Sequence, residues 1–240
     1  VHQLFPDNFI PVLQLPQSPG ASPSNSIAEL EFRVKEQGFV ACNLNPDPTD
    51  GYWTEPAMTA KEWWPLVEKI EELEVPAMIH VSMSCNPQFH GTGAHYLNGD
   101  TVAFMQFITT QIFKDFPNLR IVIPHGGGAV PYHWGRYRGI AQDMGKPPIE
   151  ELLQNVYFDT CVYHQRGIDL LVDVIGADNV LFASEMIGAV RGIDQNSGRY
   201  FDDTKPYVDG VPGITEADKQ KIFQDNALKV YPRLKQYLKV

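Results

Sequence analysis

Three metal-capable side chains each stand at the end of a short apolar run. His80 closes the run in PAMIHVS, His125 follows the run in LRIVIPHGGG, and Glu185 closes NVLFASE. Neutral imidazole and carboxylate are ligands that suit Zn²⁺ or a similar divalent ion. Such an ion acidifies water and polarises a carboxylate or enol oxygen. Taken singly, each histidine reads as a packing or capping residue and Glu185 as a loop acid. Three of them at equivalent strand ends form an active-site pattern. Around them lie groups that suit a polar, acidic ligand. Ser82, Ser84, Asn86, His95 and Tyr96 fall in the long segment after the His80 run, and Arg191 follows Glu185 closely. Arginine grips a carboxylate in bidentate fashion. The glycines of HGGG read either as an anion cradle at a helix start or as a tight turn needing positive φ. Cys85 has no activating partner in the pattern, and no GxSxG elbow occurs.

The elements that must position these residues are six continuous, β-branched runs at 9–15, 39–44, 77–81, 119–124, 156–159 and 180–183. Continuous rather than alternating apolarity is expected of parallel strands covered on both faces. Helical segments fall between them. Ser26 is expected to cap a helix to Gln37 stopped by Gly38, Thr59 with Glu62 to form a capping box, Asp100 to cap a helix to Lys114, and Thr215 to cap the last helix. Pro131 is expected in the first turn of the helix after HGGG. The βα rhythm specifies a parallel α/β fold. An open doubly wound sheet would carry a Gly-rich phosphate fingerprint, and none occurs. A (β/α)8 TIM barrel places site residues at the carboxyl ends of several strands, which is the pattern here. Six units are visible instead of eight. The long segments 45–57, 84–99 and 192–212 follow strand ends, where barrel loops carry function.

The chain has 240 residues, 43% of them hydrophobic, which suits one or two globular domains with a large core; the barrel reading makes 1–240 a single domain. A net charge of −10 argues against a nucleic-acid or anionic-membrane surface. It also makes local basic residues necessary for an anionic substrate. Three scattered cysteines form no disulfide framework and point to a reducing, cytoplasmic setting. No apolar run approaches the roughly 20 residues of a spanning helix.

PAMIHVS, IVIPHGGG, NVLFASE and the final DNALKVYP together resemble the amidohydrolase superfamily, in its aminocarboxymuconate-semialdehyde decarboxylase-like branch. QLPQSPG, ACNLNPDP, HVSMSCNP, HGTGAHYL, IPHGGGAVPYHWGRYRG and FASEMIGAVRGID are similar to the hydratases of the protocatechuate 4,5-cleavage pathway, which act on 4-oxalomesaconate. The resemblance implies a metal-dependent (β/α)8 barrel. It implies that His80 is the fifth-strand metal histidine, that His125 is the sixth-strand histidine at or near the metal, and that Glu185 holds the eighth-strand acid position. Glu185 then binds metal, moves a proton, or does both. The family also carries an HxH pair on its first strand, and no HxH occurs here. The resemblance therefore makes the 9–15 run the third strand, with two βα units, roughly 90–100 residues, missing before it.

The expected function is a metal-dependent hydro-lyase acting on an unsaturated oxo-tricarboxylate. The expected metal set is His80, His125 and Glu185, with Glu185 and His125 catalytic, and Ser84, Asn86, His95, Tyr96 and Arg191 binding substrate. Zinc is the expected ion and a homo-oligomer the expected assembly. Two alternatives stay open: a decarboxylase on the same barrel, whose relatives carry aspartate at position 185, and an inactive fragment serving only as a binding module.

Overall fold

Every one of the six apolar runs contributes a strand. In the computed structural model, which describes residues 1–186 and 188–238, these are β1 (Leu13–Gln14), β2 (Cys42–Leu44), β3 (Ala77–Ile79), β4 (Ile121–Ile123), β5 (Val156–Asp159) and β6 (Val180–Leu181). They form one parallel sheet in the order β1-β2-β3-β4-β5-β6. A doubly wound sheet reverses strand order at its switch point. Here each strand pairs with the next in sequence, the order that a (β/α) barrel requires. Among the described residues the sheet does not close on itself, and β1 and β6 are its two edges.

Both faces of the sheet are covered, which explains the continuous apolar runs. Ile121 and Ile123 join the main core with the helices, while Val122 points the other way and meets Tyr157, Leu181 and Val230. The period of two along a strand places successive side chains in these two cores.

The helices are α1 (Ile27–Gln37), α2 (Trp64–Glu72), α3 (Tyr96–Thr109), α4 (Ile112–Asp115), α5 (Trp134–Asp143), α6 (Gln165–Ile175), α7 (Lys205–Asp209), α8 (Glu216–Gln220) and α9 (Asn226–Val230). On α6 the buried residues Ile168, Leu171 and Ile175 form one stripe. Burying each such side chain is worth about 1.5–3 kcal/mol. Gly38 ends α1 with φ 73°, as its position predicts. The Thr215 and Asp218 capping box opens α8, which runs through a wider turn at Lys221–Asp225 into α9.

Four helix starts differ from the sequence expectation. Ser26 spends its hydroxyl on the Pro16 carbonyl at 2.8 Å instead of capping α1. A 3₁₀ turn at Lys61–Trp63 precedes α2, and the Thr59–Glu62 capping box is absent. Pro131 lies before α5, which begins at Trp134. Asp100 lies inside α3, because a turn at Gly91–His95 starts the helical path earlier, with His90 Nδ1 accepting from Gly93 N–H at 3.1 Å.

The carboxyl-terminal segment returns to the amino-end side of the sheet. Arg233 Nε donates to the Leu73 carbonyl at 2.9 Å, and the Tyr237 hydroxyl donates to the Gly38 carbonyl at 2.8 Å. The opposite rim, at the strands' carboxyl ends, carries the side chains with chemistry. Among the described residues no helix is long and apolar enough to cross a membrane.

Candidate active site

His80 continues the β3 ladder, its N–H donating to the Leu44 carbonyl at 3.0 Å. Its ring Nδ1 meets the Val81 carbonyl at 2.8 Å. A carbonyl can only accept, so Nδ1 carries the proton and Nε2 keeps the lone pair. His125 follows β4 after Pro124 and is 8% exposed. Its Nδ1 lies 2.9 Å from Asp100 Oδ2. The two imidazole rings are 5.2 Å apart, centroid to centroid.

One helix face holds this pair. Tyr96 and Asp100 stand four residues apart on α3, so both project to the same side. Tyr96 stacks on the His125 ring at 5.8 Å and 18°, and meets His80 edge-on at 5.0 Å. Asp100, 1% exposed, pins the far nitrogen of His125. Burial raises the Asp100 carboxyl to about 6 against the opposing pull of His125. Burial also works against charge on His125. The hydrogen bonds from Asp100 and Glu185 outweigh it, and His125 rises to about 10. His80 is lowered, by burial first and then by the charge of His125.

The glycines of HGGG are a turn and not an anion cradle. Gly126 N–H donates to Asp159 Oδ1 at 3.1 Å, Gly127 N–H to the Pro124 carbonyl at 2.8 Å, and Gly128 N–H to the His125 carbonyl at 3.2 Å. Those donors are spent inside the protein. Gly128 sits at φ 60°, and a Cβ there would fall 2.4 Å from the Leu97 carbonyl oxygen on α3. Glycine is needed for this close docking of turn on helix.

Glu185 comes from beyond the edge strand β6, two strands from β4. Its Oε1 lies 3.7 Å from His125 Nε2, and its Oε2 accepts a hydrogen bond from the Tyr163 hydroxyl. Burial raises its pKa, but the hydrogen bonds with His125 and Tyr163 outweigh that and lower it. His125 and Glu185 both hold left-handed backbone, at φ 53° and 50°. Such strain in a non-glycine residue clusters at functional sites.

Three carboxylates, Asp100, Asp159 and Glu185, thus surround two imidazoles, an arrangement that stabilises positive charge. Each imidazole has Nδ1 committed to a carbonyl or carboxylate and presents Nε2, the second-sphere pattern of a metal-ligating histidine. The donor set therefore suits a divalent cation. Among the described residues, no group of three His, Cys, Asp or Glu side chains is gathered tightly enough to hold an ion.

The other expected residues are spread along the rim. Tyr96 joins the cluster, and its hydroxyl reaches Met83 Sδ at 3.1 Å. Ser84 Oγ accepts from Asn86 N–H at 3.0 Å, and Asn86 Oδ1 accepts from Gln88 N–H at 3.0 Å, so both shape the loop after β3. His95 is 1% exposed with Nε2 unpartnered. Arg191 is exposed on the loop after Glu185, and Ile187 of the same motif lies outside the described residues. Sequence reasoning missed Asp100, Asp159 and Tyr163. Asp159 was detectable, since it ends its apolar run as His80 and His125 end theirs.

The amidohydrolase family pattern matches residues 3–233. A 2-keto-4-carboxy-3-hexenedioate hydratase from a Sphingobium species is 57% identical over all of this chain and 70% of its own length. The crystal structure of a 4-oxalomesaconate hydratase from Rhodopseudomonas palustris superposes with a TM-score of 0.93 at 61% identity, over 99% of this chain and 70% of that one. A 5-carboxyvanillate decarboxylase from Novosphingobium aromaticivorans, solved with bound manganese, has the same fold at 24% identity and a TM-score of 0.74, over 96% of this chain and 67% of that one. The chain belongs to the amidohydrolase family.

Proposed function

We propose that this member of the amidohydrolase family is a metal-dependent hydro-lyase. It adds water across the C=C, or its enol tautomer, of 4-oxalomesaconate or a similar unsaturated oxo-tricarboxylate from aromatic-acid breakdown. The substrate class rests on the hydratases that share 57% and 61% of their sequence with it. The chemistry rests on one observation: Glu185 Oε1 stands 3.7 Å from His125 Nε2, with the His80 ring beside it.

His80 and His125 would hold a divalent ion through Nε2, with Glu185 adjacent; zinc suits this donor set best. When bound, the ion acidifies water and polarises a substrate oxygen. Glu185 moves the proton, as a carboxylate poised between an imidazole and a phenol can. Asp100 holds His125 in the tautomer that leaves Nε2 available. Tyr96 presents a hydroxyl at the mouth of the cluster, and Ser84, Asn86, His95 and Arg191 form the set that receives the substrate's carboxylates. Three free cysteines, Cys42, Cys85 and Cys161, accord with a cytoplasmic setting.

The test is the mass of the product formed from 4-oxalomesaconate by the purified, metal-loaded enzyme. A gain of one water is expected. Loss of carbon dioxide would instead assign a decarboxylase, and no turnover of that substrate would overturn the reading.

A further inference from the structure

We propose that Tyr163 is a positioning residue for the hydration: its hydroxyl fixes which oxygen of Glu185 faces His125 and the substrate, while the bare backbone of Gly188 keeps the space beside that oxygen open. The inference rests on the reading that Glu185 moves the proton.

An ionised carboxylate has two equivalent oxygens and several lone-pair directions. Nothing intrinsic to Glu185 selects one of them. The protein makes the two unlike. Tyr163, half-buried in the segment between β5 and α6, donates its O–H to Oε2. That leaves Oε1 turned to His125 Nε2 at 3.7 Å. Burial, then the carboxylate itself, push the Tyr163 phenol up, so it stays a donor. A hydrogen bond to a charged acceptor is about twice as strong as a neutral one, so it can hold one rotamer against the others.

The backbone bears on the other oxygen. Glu185 takes a left-handed φ of 50°, and its carbonyl accepts from Gly188 N–H at 2.7 Å. A Cβ on Gly188 would lie 2.6 Å from Glu185 Cγ and 2.9 Å from Oε1. Gly188 is not among the glycines with positive φ, and the three nearest atoms that an added Cβ would meet all belong to Glu185, two in its side chain and one its carbonyl oxygen. The two residues thus act on different oxygens of the carboxylate, Tyr163 on Oε2 by a bond and Gly188 beside Oε1 by the absence of a side chain.

A displacement of about 1 Å at a reacting group costs on the order of 100-fold in rate. In the purified enzyme acting on 4-oxalomesaconate, Tyr163→Phe is therefore expected to lower kcat about 10–100-fold with KM within about twofold. The thermal midpoint and the bound divalent ion, measured by elemental analysis, should stay at wild-type values, because Phe keeps the ring. Gly188→Ala should show the same split. If Tyr163→Phe lowers the midpoint, Gly188→Ala decides. Added to Glu185→Asp, whose shorter side chain withdraws from the phenol, Tyr163→Phe should cost less than about twofold more.

Wild-type kcat in both Tyr163→Phe and Gly188→Ala overturns the proposal. So does a rise in KM without loss of kcat, a loss of bound ion, or a full additional loss on the Glu185→Asp background. Failure of the underlying reading looks different: Glu185→Gln would then turn over at the wild-type rate. An inactive Glu185→Gln beside wild-type kcat in both Tyr163→Phe and Gly188→Ala sinks this inference alone.

Discussion

The two sides of the rim hold their functional groups by different means. On the histidine side, His80 and His125 are backed by α3 through Tyr96 and the buried Asp100, and the HGGG turn packs against the same helix without room for a methyl group. On the glutamate side, Glu185 stands on a loop whose neighbours Phe182 and Met186 are exposed, and it is steadied by hydroxyls. The Ala183 carbonyl accepts from both Thr160 and Thr204 at 2.7 Å, and Tyr163 holds the carboxylate. Many buried contacts make a region rigid, and few make it adjustable. The contrast separates two tasks. Ion-holding groups need fixed positions, whereas a proton-moving group must meet substrate and then release it.

The strongest way to break the comparison is to remove the acid. Glu185→Gln should lower kcat about 10²–10⁴-fold, the usual contribution of a positioned acid or base, with substrate binding and thermal midpoint preserved. A comparable loss of bound ion would put Glu185 in the holding half and erase the distinction. Next in size is Asp100→Asn. It should weaken divalent-ion binding about 10–100-fold, read by chelator competition, because the second-sphere partner of His125 loses its charge. Unchanged ion binding would show that α3 does not hold the histidine side.

The strands were legible because parallel strands buried on both faces leave continuous apolar runs. The runs overstate strand length throughout: 119–124 yields Ile121–Ile123, and 9–15 yields only the strand Leu13–Gln14, with Phe9 and Val12 exposed. His80, His125 and Glu185 were legible for the same reason, as polar residues terminating apolar runs. Asp100 was not. An acid before a threonine in a helical pattern reads as an N-cap, and only the earlier turn at Gly91–His95 shows that the helix has already begun. Tyr163 was hidden because its partner lies 22 residues away, and nothing local marks a tyrosine that acts across that separation.

A smaller effect comes from pH. His125 rises from 6.5 to about 10 in the folded protein without a cation. A basic group with a raised folded pKa stabilises the fold fully below its unfolded pKa and loses that contribution as pH rises through the folded one. The metal-free protein should therefore lose stability between about pH 6.5 and 10, measured by denaturant midpoints. A divalent ion on Nε2 replaces the proton, so the loaded protein should show a flatter profile over that window. Identical profiles with and without ion would mean that His125 does not face the cation.

The smallest expected effect compares one threonine from each half. Thr101 Oγ1 accepts from Ala129 N–H at 3.0 Å and donates to the Leu97 carbonyl at 2.9 Å, tying the HGGG segment to α3. Valine there leaves the Ala129 donor without that acceptor, a loss of about 1–3 kcal/mol. Thr204 donates to the Ala183 carbonyl, which Thr160 also serves. Valine at 204 removes one of two donors from a satisfied acceptor, so the cost should be only about 0.5–1 kcal/mol. Denaturant unfolding of the two variants measures both. A Thr204→Val cost equal to that of Thr101→Val would mean that the glutamate loop is held as tightly as the histidine side. The division between a fixed ion-holding half and an adjustable proton-moving half would then have no energetic basis.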